Sequence, residues 1–493
     1  MKKYITIILA FLTIANSSCK KNYLDELKNN PNTPSVASPS LLLSGSLKTT
    51  AGIVNGGNFI PYAAYLGYLS RSTGFQVFGN LDQYQITSND FNSYTPFFLN
   101  ISNYNAILNS NSGAKYTGIA KVMMVYDFQA LVDNYNNIPY SQALKGANNL
   151  TPEFDDASKI YDDLLVQIDA AIKILQGATA NDLNPGIADI MFGGDMTKWI
   201  KFANTIKLRI AIRQSNITAK TASLKAATQA TQALGYIDAT FSASVNPGYA
   251  NNDANGGQAS PLYINYGYTQ SGAGTNGNQQ YQANTYGINY YTNNNDPRLK
   301  MVYAPNPKGD VIGSFFGGTV TVPAQQTPSK FGLGVLKAPT MPAILLSSEE
   351  ALFLQAEAAA AGYITGNAQT LYNTGITTSF TNLGVASAAT AAAAYYAQAA
   401  IAYPTAGTFD QQQQVIITQK WIALNPFGAF EAFNELRRTG YPANLPLSVY
   451  PGVNPPSQVA RIQYPTVLYT SNADNVTKQG TINIFTSKIF WAK

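Results

Sequence analysis

Residues Trp199 to Arg213 read WIKFANTIKLRIAIR. Trp199, Phe202, Ala203, Ile206 and Ile210 recur at spacings of three and four, so they share one face of a helix over 197–213 and form one buried stripe. The same period appears upstream. In 117–132 it is carried by Ile119, Val122, Met123, Tyr126 and Ala130, and in 157–176 by Ile160, Leu164, Ile168, Ala171 and Leu175. A further helix is expected over 219–234, stopped by Gly235.

Working outward, the helical period also opens and closes the chain. Residues 41–54 are expected to be a first helix with Leu41, Leu42 and Leu47 inward. Downstream it resumes at Ser347, which with Glu350 has the spacing of a capping box. The helix to Ala361 buries Ala351, Leu354 and Ala358, and Gly362 ends it. Helices follow near 368–380, 387–402, 410–424 (burying Ile417, Trp421 and Leu424) and 427–438. Arg437 and Arg438 place cations in the last turn of the final one, where they complement the helix dipole. Phe490 and Trp491 are expected to pin the irregular tail to the body.

Two stretches break the period. Residues 56–98 are aromatic and punctuated by glycine, with a short helix expected from Tyr62 to Arg71 and loop beyond it. In 240–340 glycine, asparagine and tyrosine dominate, and short strands are expected near Val311–Phe316 and Thr319–Val322. A connection this long inside a compact protein is functional or has irregular structure of its own. The fold class is therefore mostly α: helix pairs in two blocks, with an aromatic loop region inserted in each half. The helix pairs fit a side-by-side stack of tetratricopeptide type, although no clean 34-residue repeat is present.

The N-terminus reads as a secretion signal. Lys2 and Lys3 precede the apolar run Tyr4 to Ala15, which is too short to span a bilayer of about 30 Å. Asn16-Ser17-Ser18 then lead to Cys19, the sole cysteine. That order fits a lipoprotein signal over residues 1–18, with cleavage before Cys19 and a diacylglycerol on its sulfur. Asn16 stands where an aliphatic residue is usual, and a plain secretion signal with a chance cysteine is the alternative. Residues 19–40 follow as an extended tether around Pro31 and Pro34, and 41–493 form a single domain.

Composition narrows the chemistry. The 493 residues are 45% hydrophobic and only 12% charged, with 12% aromatic. Uncharged polar side chains and tyrosines must cover the surface, which suits neutral hydroxylated ligands. The net charge of +5 is weak and scattered, leaving no nucleic-acid footprint. There is no histidine, which excludes Ser-His-Asp and Cys-His catalysis and His-based zinc sites. No cofactor and no metal are expected. Asp253 and the run Asn293-Asn294-Asn295-Asp296 lack the full ligand spacing of a calcium loop.

Several segments in order resemble one family, the SusD/RagB nutrient-binding outer-membrane lipoproteins, more narrowly the SusD-like_2 branch. They are Tyr23-Leu24-Asp25-Glu26 with Asn29-Asn30-Pro31-Asn32 after the cysteine, Asp133 to Ala143 (DNYNNIPYSQA, with Asn136 where the family has glycine), Pro152 to Ala170, and Trp199 to Arg213. Asp296-Pro297-Arg298, Gln355-Ala356-Glu357-Ala358, Gln419-Lys420-Trp421 and Arg437 to Pro442 continue the order. The resemblance implies four tetratricopeptide-like helix pairs, a large irregular ligand-binding region and no catalysis. It implies a protein lipid-anchored at the outer membrane that captures oligosaccharides or peptides and passes them to a SusC-like TonB-dependent transporter. Surface members carry acidic residues soon after the lipidated cysteine; here Lys20 and Lys21 come first and Asp25-Glu26 later.

Candidate ligand-binding residues are drawn from the aromatic loops, since sugar rings stack their C–H faces on aromatic side chains. They are Arg71, Phe75, Phe78 and Tyr84 in the first loop region, and Tyr281, Tyr286 and Tyr290 in the second. The bland reading of each is inward packing, because the body of a tyrosine is largely apolar. Arg209, Arg213, Arg437 and Arg438 read as structural, with Glu350, Glu357 or Asp169 as partners. The carboxylate pairs Asp155-Asp156, Asp162-Asp163 and Glu349-Glu350 read as caps and dipole partners. A carbohydrate-active hydrolase, needing two carboxylates about 5 to 10 Å apart across a cleft, and a non-catalytic surface adhesin are the alternatives to a binding protein.

Overall fold

The structure is a computed structural model describing residues 37–57, 60–72, 75, 79–91, 93–318, 320 and 326–493. Cys19, the tether as far as Val36, Phe59 and Phe78 lie outside the described residues, as does most of Thr319–Val322. Among the described residues no helix is long and apolar enough to cross a membrane.

The long helices, in chain order, are α1 (Pro39–Val54), α2 (Tyr94–Leu108), α3 (Ala114–Tyr135), α4 (Ala157–Gly177), α5 (Met196–Arg213), α6 (Thr221–Thr231), α7 (Thr285–Asn293), α8 (Ser348–Ala360), α9 (Ala368–Leu383), α10 (Ala388–Tyr396), α11 (Phe409–Ala423) and α12 (Ala429–Thr439). Each long helix packs on the next: α1 on α2, α2 on α3, α3 on α4, α4 on α5 and α5 on α6. The path then jumps the second loop region, and α5 meets α8, which carries α9 and α11. Four helix pairs result, α1–α2, α3–α4, α5–α6 and α8–α9, with α10, α11 and α12 completing the second block.

α5 sits at the centre of this path. Asp195 caps it, accepting from the Lys198 amide at 3.1 Å. The expected stripe is fully buried, but so is almost everything else from Phe202 to Arg213. A helix buried all round must neutralise its own charges internally. Lys207 pairs with Asp169 at 2.6 Å, and Arg209 with Glu350 at 3.4 Å. Arg213 meets Glu435 at 3.1 Å, Asp133 at 3.5 Å and Glu431. Lys420 holds Glu431 and Glu435 at 3.0 Å each, and Arg438 holds Glu435 and, at 2.7 Å, Glu357. The charges around Arg213, Lys420 and Arg438 come from α3, α5, α8, α11 and α12, so the two helical blocks are joined by one buried ionic network. The Trp491 indole closes it from the tail, donating to Asp133 at 2.9 Å.

Some local expectations shift. α1 begins at Pro39, with Ser38 accepting from the Leu41 amide, and Leu43 and Leu47 are buried while Leu41 is 61% exposed. The inward stripe runs through Leu43, Leu47 and Ala51, four apart, which leaves Leu41 on the outer face. The end of the first loop region, up to Phe98, is instead the start of α2 (Tyr94–Leu108); Tyr94, Phe97, Ile101 and Tyr104 form its buried face. The capping box of α8 is half made: Glu350 N donates to Ser347 Oγ at 3.1 Å, but the Glu350 carboxylate turns to Arg209. The carboxylate pairs divide their tasks: Asp156 caps α4, Asp155 accepts from Tyr140 N and Ser141 N, Asp162 pairs with Lys220, and Glu349 accepts from Asn382.

Among the described residues there are three two-stranded antiparallel ladders, of which the first and third tie down the loop regions. β1 (Leu69–Arg71) pairs with β5 (Tyr281–Ala283), β2 (Ile138–Pro139) with β3 (Phe154–Asp155), and β4 (Ala243–Val245) with β6 (Ala343–Leu346). Val311–Phe316 is not a strand; Ser314 forms an isolated bridge with Asn284.

Candidate functional site

The β1–β5 ladder brings the two aromatic loop regions together. Its register sets Leu69 opposite Ala283, Ser70 opposite Gln282 and Arg71 opposite Tyr281. Arg71 is buried, not presented at the surface. Its guanidinium lies 3.5 Å from Asp82 and donates to the carbonyls of Ser72, at 3.2 Å, and Phe75. Arg71 therefore ties the backbone of Ser72 and of Phe75, which is 37% exposed, to β1. These three candidates, Arg71, Phe75 and Tyr281, are linked in space.

Tyr281 lines an open recess of about 570 Å³. Two short helices build it. Pro261–Tyr266 starts with proline at a position where a missing N–H costs nothing. Asn276–Gln280 is capped by Thr275, whose hydroxyl accepts from Asn278 N and also donates to Asn265 O at 2.9 Å. The helices touch at Gly277, where an added Cβ would lie 2.2 Å from Asn265 O and 2.7 Å from the Tyr266 ring, so only glycine fits. Asn278 donates to Tyr266 O at 3.0 Å and locks the crossing. Tyr281 stands edge-on to Tyr266, centroids 6.1 Å apart, and Tyr266 stands edge-on to Phe331 at 6.2 Å.

The lining is Gly57, Ile264, Asn265, Tyr266, Thr269, Gly274, Thr275, Asn276, Gly277, Gln280 and Tyr281. It offers rings, amides and hydroxyls and, among the described residues, no charged side chain. Burial pushes the Tyr281 phenol up to about 12, so it stays protonated and can donate as well as accept at neutral pH. Such walls can stack on an apolar ring face and bond to hydroxyls or amides. Among the described residues no group of three or more His, Cys, Asp or Glu side chains is placed to hold a metal ion. Asp296 is instead engaged by Arg298, and Asp253 accepts from Gln270 N.

The other candidates lie elsewhere. Tyr84 is a core residue: it is stacked on Tyr65 at 5.5 Å, edge-on to Phe316 at 6.0 Å, and its hydroxyl accepts from Ser448 N. Tyr286 and Tyr290 form a second group, edge-on to Trp421 at 5.9 and 5.2 Å, and the Tyr290 hydroxyl accepts from Gln419 at 3.0 Å. Both are half-buried and join the second loop region to α11. Gln280, beside Tyr281 in the run Gln279-Gln280-Tyr281, is legible in the sequence, whereas the period-free composition of 240–340 hides Asn265, Tyr266 and Thr275 as individual contributors; their local signal is the Thr275-to-Asn278 cap spacing.

Comparison with known proteins gives the following. The family model SusD-like_2, described as starch-binding and associating with outer membrane, matches residues 31–465. Among curated proteins no relative matches. A SusD homologue from Bacteroides uniformis superposes with a TM-score of 0.73 at 23% identity, covering 92% of this chain and 99% of its own. A SusD-like protein from Bacteroides thetaiotaomicron gives 0.74 at 23%, covering 92% and 99%. A chitin-binding SusD homologue from Flavobacterium johnsoniae gives 0.74 at 22%, covering 91% and 98%. At these identities the superpositions establish the shared fold.

Proposed function

Because the chain belongs to the SusD-like_2 family, we propose that it is a surface nutrient-binding lipoprotein, anchored through Cys19 in the outer membrane. It captures an oligosaccharide or a peptide at the Tyr281 recess and delivers it to a SusC-like TonB-dependent transporter. The family description and the chitin-binding homologue of the same fold support a glycan as the first choice. The observation that carries the reading is the recess itself: an aromatic edge formed by Tyr281 and Tyr266, with Asn265, Thr275, Asn276 and Gln280 around it and, among the described residues, no charged lining. That combination serves uncharged hydroxylated rings, whose apolar faces and hydroxyls need rings and amides together. A peptide backbone, also uncharged and rich in amides, is the second occupant it suits.

Calorimetric titration of the chain with maltoheptaose, chitohexaose and a mixed tryptic peptide pool tests this. Saturable binding to one class, lost in Tyr281→Ala, is expected. Absence of binding to all three would leave a non-binding surface protein, and steady product formation from a glycan would replace binding with hydrolysis. Co-purification from membranes is expected to bring down a large β-barrel partner. Labelling with a radioactive fatty acid is expected in the wild type and not in Cys19→Ala.

A further inference from the structure

Lys330 does not line the recess but reaches the backbone of the Gln279–Tyr281 segment that does. Its ammonium lies 2.7 Å from Ser72 Oγ, 3.0 Å from Gln279 O and 2.8 Å from Tyr281 O. An ammonium has three N–H donors, so all three are taken. The backbone it springs from is fixed as well: Ala304 N donates to Lys330 O at 2.9 Å, and Ala283 N donates to Ser329 O at 2.9 Å. The side chain thus runs from a pinned segment to the end of β1 and to the two carbonyls that bracket Gln280. Gln280 and Tyr281 are the ledge of the recess.

Among the described residues no carboxylate forms an ion pair with Lys330. A partly buried ammonium without a counter-charge loses hydration that a methionine of similar length would not lose. What the ammonium alone supplies is three donors converging on acceptors from distant parts of the chain. We propose that Lys330 is a positioning residue: its charged ammonium holds the Gln279–Tyr281 ledge in the shape the ligand meets, and loss of its proton loosens that ledge. The inference rests on reading the recess as the ligand site.

The pH dependence has a definite sign. Burial pulls the Lys330 amine down to about 8. Below that pH the ammonium satisfies all three acceptors. Above it the neutral amine has two N–H groups and a lone pair, so one of the three acceptors loses its donor. The titratable and charged groups on the elements packed against Lys330 are Arg71 with Asp82 beside β1, Tyr281 on β5, Tyr266 under the recess, and Tyr303, which bridges Phe331. Burial holds all three tyrosines well above this window.

The test is calorimetric titration with maltoheptaose and chitohexaose from pH 6 to 10, for the full chain, Lys330→Met and Lys330→Arg. Hydrogen exchange over residues 276–284 is measured at pH 7 in the ligand-free proteins. Wild-type affinity is expected to fall by about threefold or more between pH 7 and 9.5. Lys330→Met is expected to bind weakly at every pH without a step near 8, and to exchange the ledge amides faster. Lys330→Arg, charged throughout this range, is expected to restore affinity with a flat profile. Wild-type exchange rates in Lys330→Met, or a pH profile it shares with the wild type, would overturn the inference. If the wild type binds neither sugar, the reading of the recess fails, while the exchange comparison still decides whether Lys330 holds the ledge.

Discussion

Asp127 on α3 is fully buried, and its neighbours are neutral. It accepts from Asn100 Nδ2 at 2.9 Å and from Thr50 Oγ1 at 3.2 and 3.3 Å. Burial without a cation raises its carboxyl from the ordinary 3.8 to about 8, so it is protonated at neutral pH. The unfolded chain releases that proton near pH 4, and the folded chain holds it until about 8. Between those values the native state binds one proton more, so this carboxyl makes stability fall as pH rises, by about 1.4 kcal/mol per pH unit. Across four pH units the ceiling is about 6 kcal/mol. Asp127→Asn keeps the size and the amide-like bonds and cannot ionise. Urea unfolding at pH 5, 6, 7, 8 and 9 is expected to show the wild type losing roughly 1 kcal/mol per pH unit relative to Asp127→Asn up to pH 8, and no further relative loss above it. Other raised carboxyls, such as Glu350, which burial brings to about 7, contribute equally to both proteins and cancel in the difference. Parallel stability curves for the two proteins would refute the argument, because they would mean that Asp127 ionises in the folded state as readily as in the unfolded one.

Three further outcomes are expected. Arg213→Met leaves Glu431, Glu435 and Asp133 short of a buried cation and is expected to cost about 3–5 kcal/mol in urea unfolding, whereas Lys201→Gln, in a pair with half-exposed partners, is expected to cost about 1 kcal/mol or less; equal costs would contradict the burial argument. Tyr281→Ala is expected to weaken sugar binding by about tenfold or more, roughly 1.4 kcal/mol, while Tyr84→Ala, in the core, is expected to lose about 3–5 kcal/mol of stability with unchanged affinity in the protein that stays folded. Gly277→Ala, which drives a methyl into Asn265 O, is expected to abolish sugar binding with a small change in melting temperature, and retained affinity would show that the recess wall is not where the ligand sits.

The helices were legible because burial imposes a period, and most of those stripes are where the spacing put them: Ile160, Leu164, Ile168, Ala171 and Leu175 are all buried on α4. Tyr94–Leu108 shows how such a signal is lost. Its period rests on Tyr94, Phe97, Ile101 and Tyr104, inside a stretch where aromatic residues and Pro96 obscure the spacing. The arginine partners were legible in part: Glu350 does meet Arg209 and Glu357 meets Arg438, but Asp169 serves Lys207, and the Glu431, Glu435 and Asp133 that surround Arg213 carried no signal of it, because that meeting depends on how α3 and α12 pack on α5. The site was legible as a composition and not as an address. Aromatic content does not say which ring is stacked inside, as Tyr84 is, and which lines a recess, as Tyr281 does. That distinction depends on the β1–β5 register, a three-residue pairing between segments far apart in sequence. Lys330 carried no sequence signal at all, because its role exists only where three chain segments converge.

The ionic network has a consequence for how the molecule comes apart. Arg213 is on one side of the long irregular insertion, and Glu431, Glu435, Lys420 and Arg438 are on the other. A protease that nicks the chain anywhere between α6 and α8 cuts one covalent link and leaves every one of these pairs in place. To separate, the two fragments would have to strip a guanidinium from several carboxylates and expose both faces. A nicked molecule therefore travels as one particle, and two separately produced fragments have a built-in reason to find each other.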